Sequence, residues 1–249
     1  MTKVDSQHLS GGDPAAYQAA EAEQGSHAHR LNSLRAAVLG ANDGIVSTAG
    51  IVIGVAGATL NAFAILTAGI AGLSAGALSM AVGEYVSVSA QRDTERALLD
   101  KERRELAEMP DEELAELAGL YEAKGLDSDL AMKVATQLHA HDALAAHAET
   151  ELGIDPENLT SPWVAAASSA ISFTVGSLLP LLAIVFAPTS LKISVTVAAV
   201  AAALVLTGYL SARAGGTPYM RSIVRNVLGG LLAMGVTYWI GRFVGHALG

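Results

Sequence analysis

Five apolar runs organise this chain: residues 36–60, 62–83, 163–186, 193–212 and 226–241 are apolar or small over most of their length, and polar positions gather between them. A helix needs about 20 apolar residues to cross a bilayer's hydrocarbon. The first four runs meet that length, and the short fifth is flanked by Arg225 and Arg242, whose long side chains reach outward to the interface. The pattern predicts an all-α membrane protein with five transmembrane helices.

Between the second and third runs the pattern becomes that of amphipathic, water-facing helices. No Gly or Pro lies between Gly83 and Pro110, so the second helix is expected to continue beyond the membrane as a rigid arm of about 40 Å. Pro110 is expected to stop it. "PDEELAELAGLYEAKG" then reads as a short helix with Asp111 as N-cap and Gly125 as its stop, and "DSDLAMKVATQLHAHDALAAHAETELG" as a longer helix ending at Gly153. The expected organisation is a disordered tail (1–33), transmembrane helices 1 and 2 (34–91), a three-helix acidic insert (92–161) and transmembrane helices 3 to 5 (162–249).

Composition agrees with the membrane class: 51% of the 249 residues are hydrophobic and 16% charged, with a mean hydropathy of +0.40. The first 30 residues are polar, so no cleavable signal peptide is expected. No cysteine is present, which excludes disulfides, thiolate metal sites and cysteine catalysis. A metal would have to be held by oxygen, imidazole or thioether. No hydrolytic or redox constellation is visible, and the chain is expected not to be an enzyme.

Charge sets the orientation. With the N-terminus in the cytosol, 13 of the 15 basic residues fall on that side: Lys3, Arg30 and Arg35 in the tail, seven between Arg92 and Lys133, and Arg213, Arg221 and Arg225 in the fourth connection. Lys192 and Arg242 fall outside, as the positive-inside rule requires. Of the 24 acids, 18 lie between Asp93 and Glu157, which makes the insert the seat of the net charge of −9. Such a surface discourages nucleic acid and favours cations.

Two acids, Asp43 and Glu84, lie at membrane depth. A charge at mid-bilayer costs about 2.5–3.5 kcal/mol even on the lenient insertion scale, and such residues usually face a bundle interior or an ion path. Asp43 sits about 10 Å into its span. Gly40 and Gly44 bracket it and are expected to loosen the helix and expose backbone carbonyls, while Asn42 adds an amide oxygen and Ser47 lies one turn on. In the second span Gly72, Gly76, Met80, Gly83 and Ser87 form a stripe of small residues that allows close helix approach. Met80 lies one turn from Glu84. A thioether beside a carboxylate suits Fe²⁺, Mn²⁺ or Zn²⁺ better than Mg²⁺ or Ca²⁺, although a Met in a membrane helix is ordinarily packing. Glu84 serves either as a relay or as a partner of Arg35 or Arg92. Gly176 and Pro180 in "FTVGSLLP" share a face and are expected to kink and pack the third span.

In the insert, Glu102 and Glu105, Glu113 and Glu116, and His147 and Glu151 form three pairs, each on one helix face. Carboxylates on facing helices with one imidazole are a way for helical bundles to hold such metals. Spacing alone favours the plainer reading, a solvated acidic surface. His139 and His141 are open to the same two readings, and Met109 is expected to pack.

The motifs "GANDGIVST", "AGLSAGALSMAVGEYVSVSAQ", "FTVGSLLP" and "DALAAHAETELG" together resemble the vacuolar iron transporter family of Fe²⁺/Mn²⁺ membrane transporters, over nearly all of Leu34 to Gly241. The resemblance implies five spans, a cytosolic metal-binding insert, a homodimer with its path at the subunit interface, and proton-coupled Fe²⁺ export into a vacuole or out of the cell. It implies that Asp43 and Met80 line the membrane site and that Glu102, Glu105, Glu113, Glu116 and Glu151 are ligands in the insert. Some relatives carry methionines before the last of these acids, where this chain reads "HAET". His147 is the candidate replacement, which leaves the choice among Fe²⁺, Mn²⁺ and Zn²⁺ open.

The expected function is therefore a divalent-metal/proton antiporter of a bacterial inner membrane, or of a vacuole in a eukaryote. Metal would be captured by the insert and passed by way of Glu84 to Asp43, Asn42 and Met80. Two other classes fit less of the sequence: a membrane-anchored metal sensor or store, and a permease for an organic cation or other non-metal solute.

Overall fold

The computed structural model describes residues 37–248. It consists of helices α1 (Ala37–Ala58), α2 (Ala62–Glu108), α3 (Pro110–Ala123), α4 (Ser128–His147, extended by a π-helical turn Ala148–Leu152), α5 (Pro162–Phe186), α6 (Lys192–Ala214) and α7 (Tyr219–Leu248), with a 3₁₀ turn at Thr189–Leu191. No strand occurs among the described residues. Five of these helices, α1, α2, α5, α6 and α7, are long and apolar enough to cross a membrane, and the chain is a multi-pass membrane protein. The tail expected to be disordered, with Lys3, Arg30 and Arg35, lies outside the described residues. The helix carrying the fifth run is longer than its apolar stretch, beginning directly after Pro218 and running through Arg225.

The described residues divide into two compact units, one comprising those up to Met80 and from Ser168 onward, the other Ala81–Ala167. In the first, α1 is central: Ile45, Ala49, Val52, Ile53 and Ala56 form a core with Ile65 of α2, Leu181 and Ile184 of α5, Val200 and Leu204 of α6, and Met234 of α7. Its glycines let backbones meet. A side chain at Gly176 of α5 would run into the backbone of Ala41, and one at Gly241 of α7 into that of Gly54. Such small-residue approaches are how helices associate in lipid, where burial of apolar area supplies little drive.

Gly40 and Gly44 serve the same end. They lie against Ser172 and Phe173 of α5, and the Gly44 carbonyl accepts a hydrogen bond from Ser177 Oγ at 3.2 Å. The expectation that they loosen α1 and free its carbonyls is thus corrected: the missing side chains here allow interhelical contact, and the Gly44 carbonyl is occupied by Ser177. Ser47 also turns inward to its own helix, donating to the Asp43 carbonyl at 2.7 Å. The stripe on α2 is partly consumed in the same way, Gly72 seating Ile51 and Gly76 seating Phe173, whereas Gly83 has open space around it.

In the second unit α2 continues to Glu108 without interruption, as the absence of Gly and Pro requires. Pro110 does not simply stop it. It is the first residue of α3, with Met109 at the cap position, because a proline's missing N–H and fixed φ suit a helix start. Asp111, expected to be the N-cap, lies instead in the first turn with Glu112 and Glu113, where acids are favoured by the helix dipole. Gly125 and Gly153 adopt left-handed φ of 104° and 65° and end their helices as expected. Asp127 caps α4, its Oδ1 accepting from Leu130 N at 3.0 Å. One feature has no Gly or Pro behind it: the backbone of α4 breaks at Asp142, with φ −156° and ψ 95°. Two small clusters, Leu99 with Ala148 and Ile154, and Leu117 with Ala118 and Ala135, hold the helices together.

Candidate functional site

The second unit gathers its acids around a buried histidine. Glu102 projects from α2, Glu113 from the first turn of α3, and His147 and Glu151 from the end of α4 and its π-turn. His147 Nδ1 lies 3.0 Å from Glu102 Oε1, 3.7 Å from Glu113 Oε2 and 3.7 Å from Glu151 Oε2. The His147 side chain is fully buried, that of Glu102 is 3% exposed, and Glu113 is nearly as buried. The close approach is not a hydrogen bond: Glu102 Oε1 and both ring nitrogens of His147 have no hydrogen-bonding partner. Unsatisfied polar atoms in a protein interior are expensive. Ligand atoms of Glu102, His147 and Glu151 all lie within 4.8 Å of one another, a geometry that fits one divalent cation.

Burial holds the Glu102 carboxyl above the usual glutamate range; His147 opposes this, and Glu151, Glu113 and Glu105 add to it. Glu113 is raised as well, first by burial and then by Glu116. A cation placed here would have to compete with protons for the same oxygens.

Of the six insert residues expected from sequence, the structure brings together Glu102, Glu113, His147 and Glu151. Glu105 pairs with Lys101 on its own helix at 2.7 Å, and Glu116 is exposed on α3. Both remain close enough for their charges to act on Glu113. Met109 is 40% exposed and does not pack. His141 is exposed, while His139 has a buried Nδ1 and lies beside His147.

In the membrane unit, Asn42 and Asp43 of α1 and Met80 of α2 line one open cleft of about 490 Å³, together with Arg225 and Asn226 of α7. Asp43 is exposed on the single chain. Asn42 is oriented by α6, its Oδ1 accepting from Thr207 Oγ1 at 3.2 Å. Arg225 and Asn226 were not expected here. Arg225 is expected from sequence to snorkel from a helix end, and the packing of α7 places it in the lining of the cleft that holds the acid. Glu84 is exposed on α2 and has no ion pair with Arg92 or any other described residue.

With this geometry in place, residues 34–242 match the VIT family. The chain belongs to the VIT family. Among curated VIT relatives it is 43% identical over 209 residues to the vacuolar iron transporter of Acanthamoeba castellanii, covering 84% of this chain and 77% of that protein. It is 39% identical over 216 residues to vacuolar iron transporter homolog 5 of Oryza sativa subsp. japonica, covering 86% and 82%. It is 36% identical over 220 residues to vacuolar iron transporter homolog 3 of Arabidopsis thaliana, covering 88% and 86%.

Proposed function

We propose that this VIT-family chain transports iron across its membrane, exporting Fe²⁺ from the cytosol in exchange for protons, with Mn²⁺ and Zn²⁺ as alternative cargo. The observation that carries the reading is the convergence of Asp43, Asn42 and Met80 from two helices on one cleft within otherwise apolar spans. A carboxylate, an amide oxygen and a thioether form a weak, mixed donor set for a borderline divalent cation. The relatives' names, vacuolar iron transporter and its homologs, support iron as the cargo.

The insert of residues 92–161 lies in the cytosol in this reading, which the distribution of basic residues supports, and captures metal on Glu102, Glu113, His147 and Glu151. Glu84 relays the ion toward Asp43. A carboxylate that gives up metal takes a proton, which is what couples the two flows. Asp43, exposed on one chain, is sheltered from lipid by a second copy, so the working unit is a homodimer. A bacterial inner membrane is the expected location.

Metal uptake into proteoliposomes with an imposed pH gradient tests this, with Fe²⁺, Mn²⁺ and Zn²⁺ compared for wild type and Asp43→Asn. Gradient-dependent uptake lost in the variant supports exchange through Asp43. No uptake of any of the three by the folded protein moves the weight to an anchored sensor or store, a reading favoured by one observation: the buried cluster around His147 is complete within its own unit.

A further inference from the structure

Beside the proposed ligand set stands a second histidine whose Nδ1 is shielded from solvent and has no hydrogen-bonding partner, His139. Its ring meets that of His147 edge to face, with centroids 6.0 Å apart and planes at 75°. A straight α-helix does not make this contact, since eight residues separate the two positions by about 12 Å along the axis and roughly 80° around it. The break at Asp142 brings them together. There the Asp142 Oδ1 accepts from Ala145 N at 2.9 Å, so the residue caps a fresh turn that carries His147 back toward His139.

We propose that His139 is a positioning residue for His147: its Nδ1 accepts a hydrogen bond from the Nε2–H of His147, which fixes the tautomer whose Nδ1 lone pair faces Glu102, Glu113 and Glu151. The inference rests on the metal-binding reading of that cluster. A neutral imidazole has one donor and one acceptor nitrogen. With the proton on Nδ1, His147 would have to donate to Glu102, yet their 3.0 Å approach lacks hydrogen-bond geometry, and Nε2 would be a buried acceptor with no donor. With the proton on Nε2, Nδ1 is free to bind a cation, and His139 Nδ1 is a buried acceptor next to the same ring. All three unpartnered nitrogens are then used. The hydrogen bond requires the two rings to draw together from their 6.0 Å centroid spacing.

Histidine ligands are commonly held through their other nitrogen in this way, and losing the outer partner lowers metal affinity about 10–100-fold. The test uses the full chain in detergent with ¹⁵N-labelled histidine, Zn²⁺ as the probe, and the variants His139→Leu and His139→Gln, the latter retaining an acceptor oxygen. The expected result is His147 protonated on Nε2 in wild type with and without Zn²⁺. In His139→Leu that preference is lost and Zn²⁺ binds about 10–100-fold more weakly, while His139→Gln stays within a few-fold of wild type on the same scale. A wild-type His147 protonated on Nδ1 overturns the proposal, whether or not the leucine variant folds. So does an unchanged tautomer and affinity in His139→Leu, or a glutamine variant as weak as leucine, which would make His139 itself a ligand. Failure of wild type to bind Zn²⁺ would instead sink the metal reading, with the tautomers of the metal-free proteins still deciding the hydrogen bond.

Discussion

Around His147 several acids gather against an imidazole, Glu102 and Glu113 buried and Glu151 reaching in from the surface; around Asp43 a single acid is exposed, and its neighbours are an amide, a thioether and an arginine. The same carboxylate chemistry is thus set up for two different tasks. Burial and crowding raise the proton affinity of Glu102 and Glu113, so that a bound cation relieves both the mutual repulsion and the desolvation. That is the arrangement the proposed capture role requires. The cleft at Asp43 has few donors, one of them soft, and a fixed positive charge nearby, which suits an ion that must leave again.

The sharpest way to break this contrast is to remove one acid from each region. Asp43→Asn is expected to abolish proteoliposome transport while leaving Zn²⁺ binding at the insert at its wild-type affinity, measured by titration calorimetry. Glu102→Gln is expected to do the reverse in part. Metal affinity at the insert should fall by more than the roughly 10–100-fold attributed to an outer-shell partner, and transport should slow at low metal but recover at saturating metal. Equal losses of both activities in both variants would mean that the two regions form one site.

How far these regions were legible in the sequence differs for physical reasons. The five spans follow from length and apolarity alone, and the continuation of α2 from the absence of any breaker before Pro110. Pro110 does what its sequence position implies and more: α2 ends at Glu108, because a proline cannot donate the bond that would continue the helix, and α3 begins at Pro110, where no N–H is needed. The three pairs were visible as helix-face spacings, but that Glu102 and Glu113 join the cluster without Glu105 and Glu116, while His147 and Glu151 both do, depends on the packing of α2, α3 and α4. The break at Asp142 left only a faint trace: an N-cap residue type three positions before Ala145, inside a run of good helix formers. Without that break His139 falls on another part of the helix surface, and its contact with His147 is not visible in the sequence. Arg225 and the Thr207 contact to Asn42 are likewise products of interhelical packing, which no local pattern encodes.

A smaller effect follows from the raised acids. Glu102 and Glu113 bind protons more tightly folded than unfolded, where a glutamate titrates near 4.5. From about that pH up to their raised folded values the native state therefore holds more protons, and its stability without metal should fall as pH rises, then level off. A saturating divalent cation should flatten or invert the slope. Hydrogen exchange of α3 and α4 at a series of pH values, with and without Zn²⁺, measures this. Glu113→Gln should make the metal-free protein more stable at neutral pH and remove part of the metal-induced gain. A metal-free stability that climbs with pH would contradict the capture role.

The smallest effects concern glycines, and they separate contacts within one chain from contacts between copies. Gly176→Val would drive a side chain into the Ala41 backbone, and overpacking of this kind costs about 1–3 kcal/mol, lowering the thermal midpoint in detergent. At Gly83 a side chain meets nothing of its own chain within 4 Å, and alanine favours a helix over glycine by about 0.8–1.0 kcal/mol. Gly83→Ala should then leave the single chain as stable as before or slightly more so. If the unused end of the α2 stripe faces a second copy, Gly83→Leu should shift the protein from dimer to monomer in light scattering while its helical circular dichroism is unchanged. A dimer unaffected by leucine would place the sheltering surface for Asp43 on some face other than this stripe, and a monomeric wild type that still transports would remove the need for a second copy altogether.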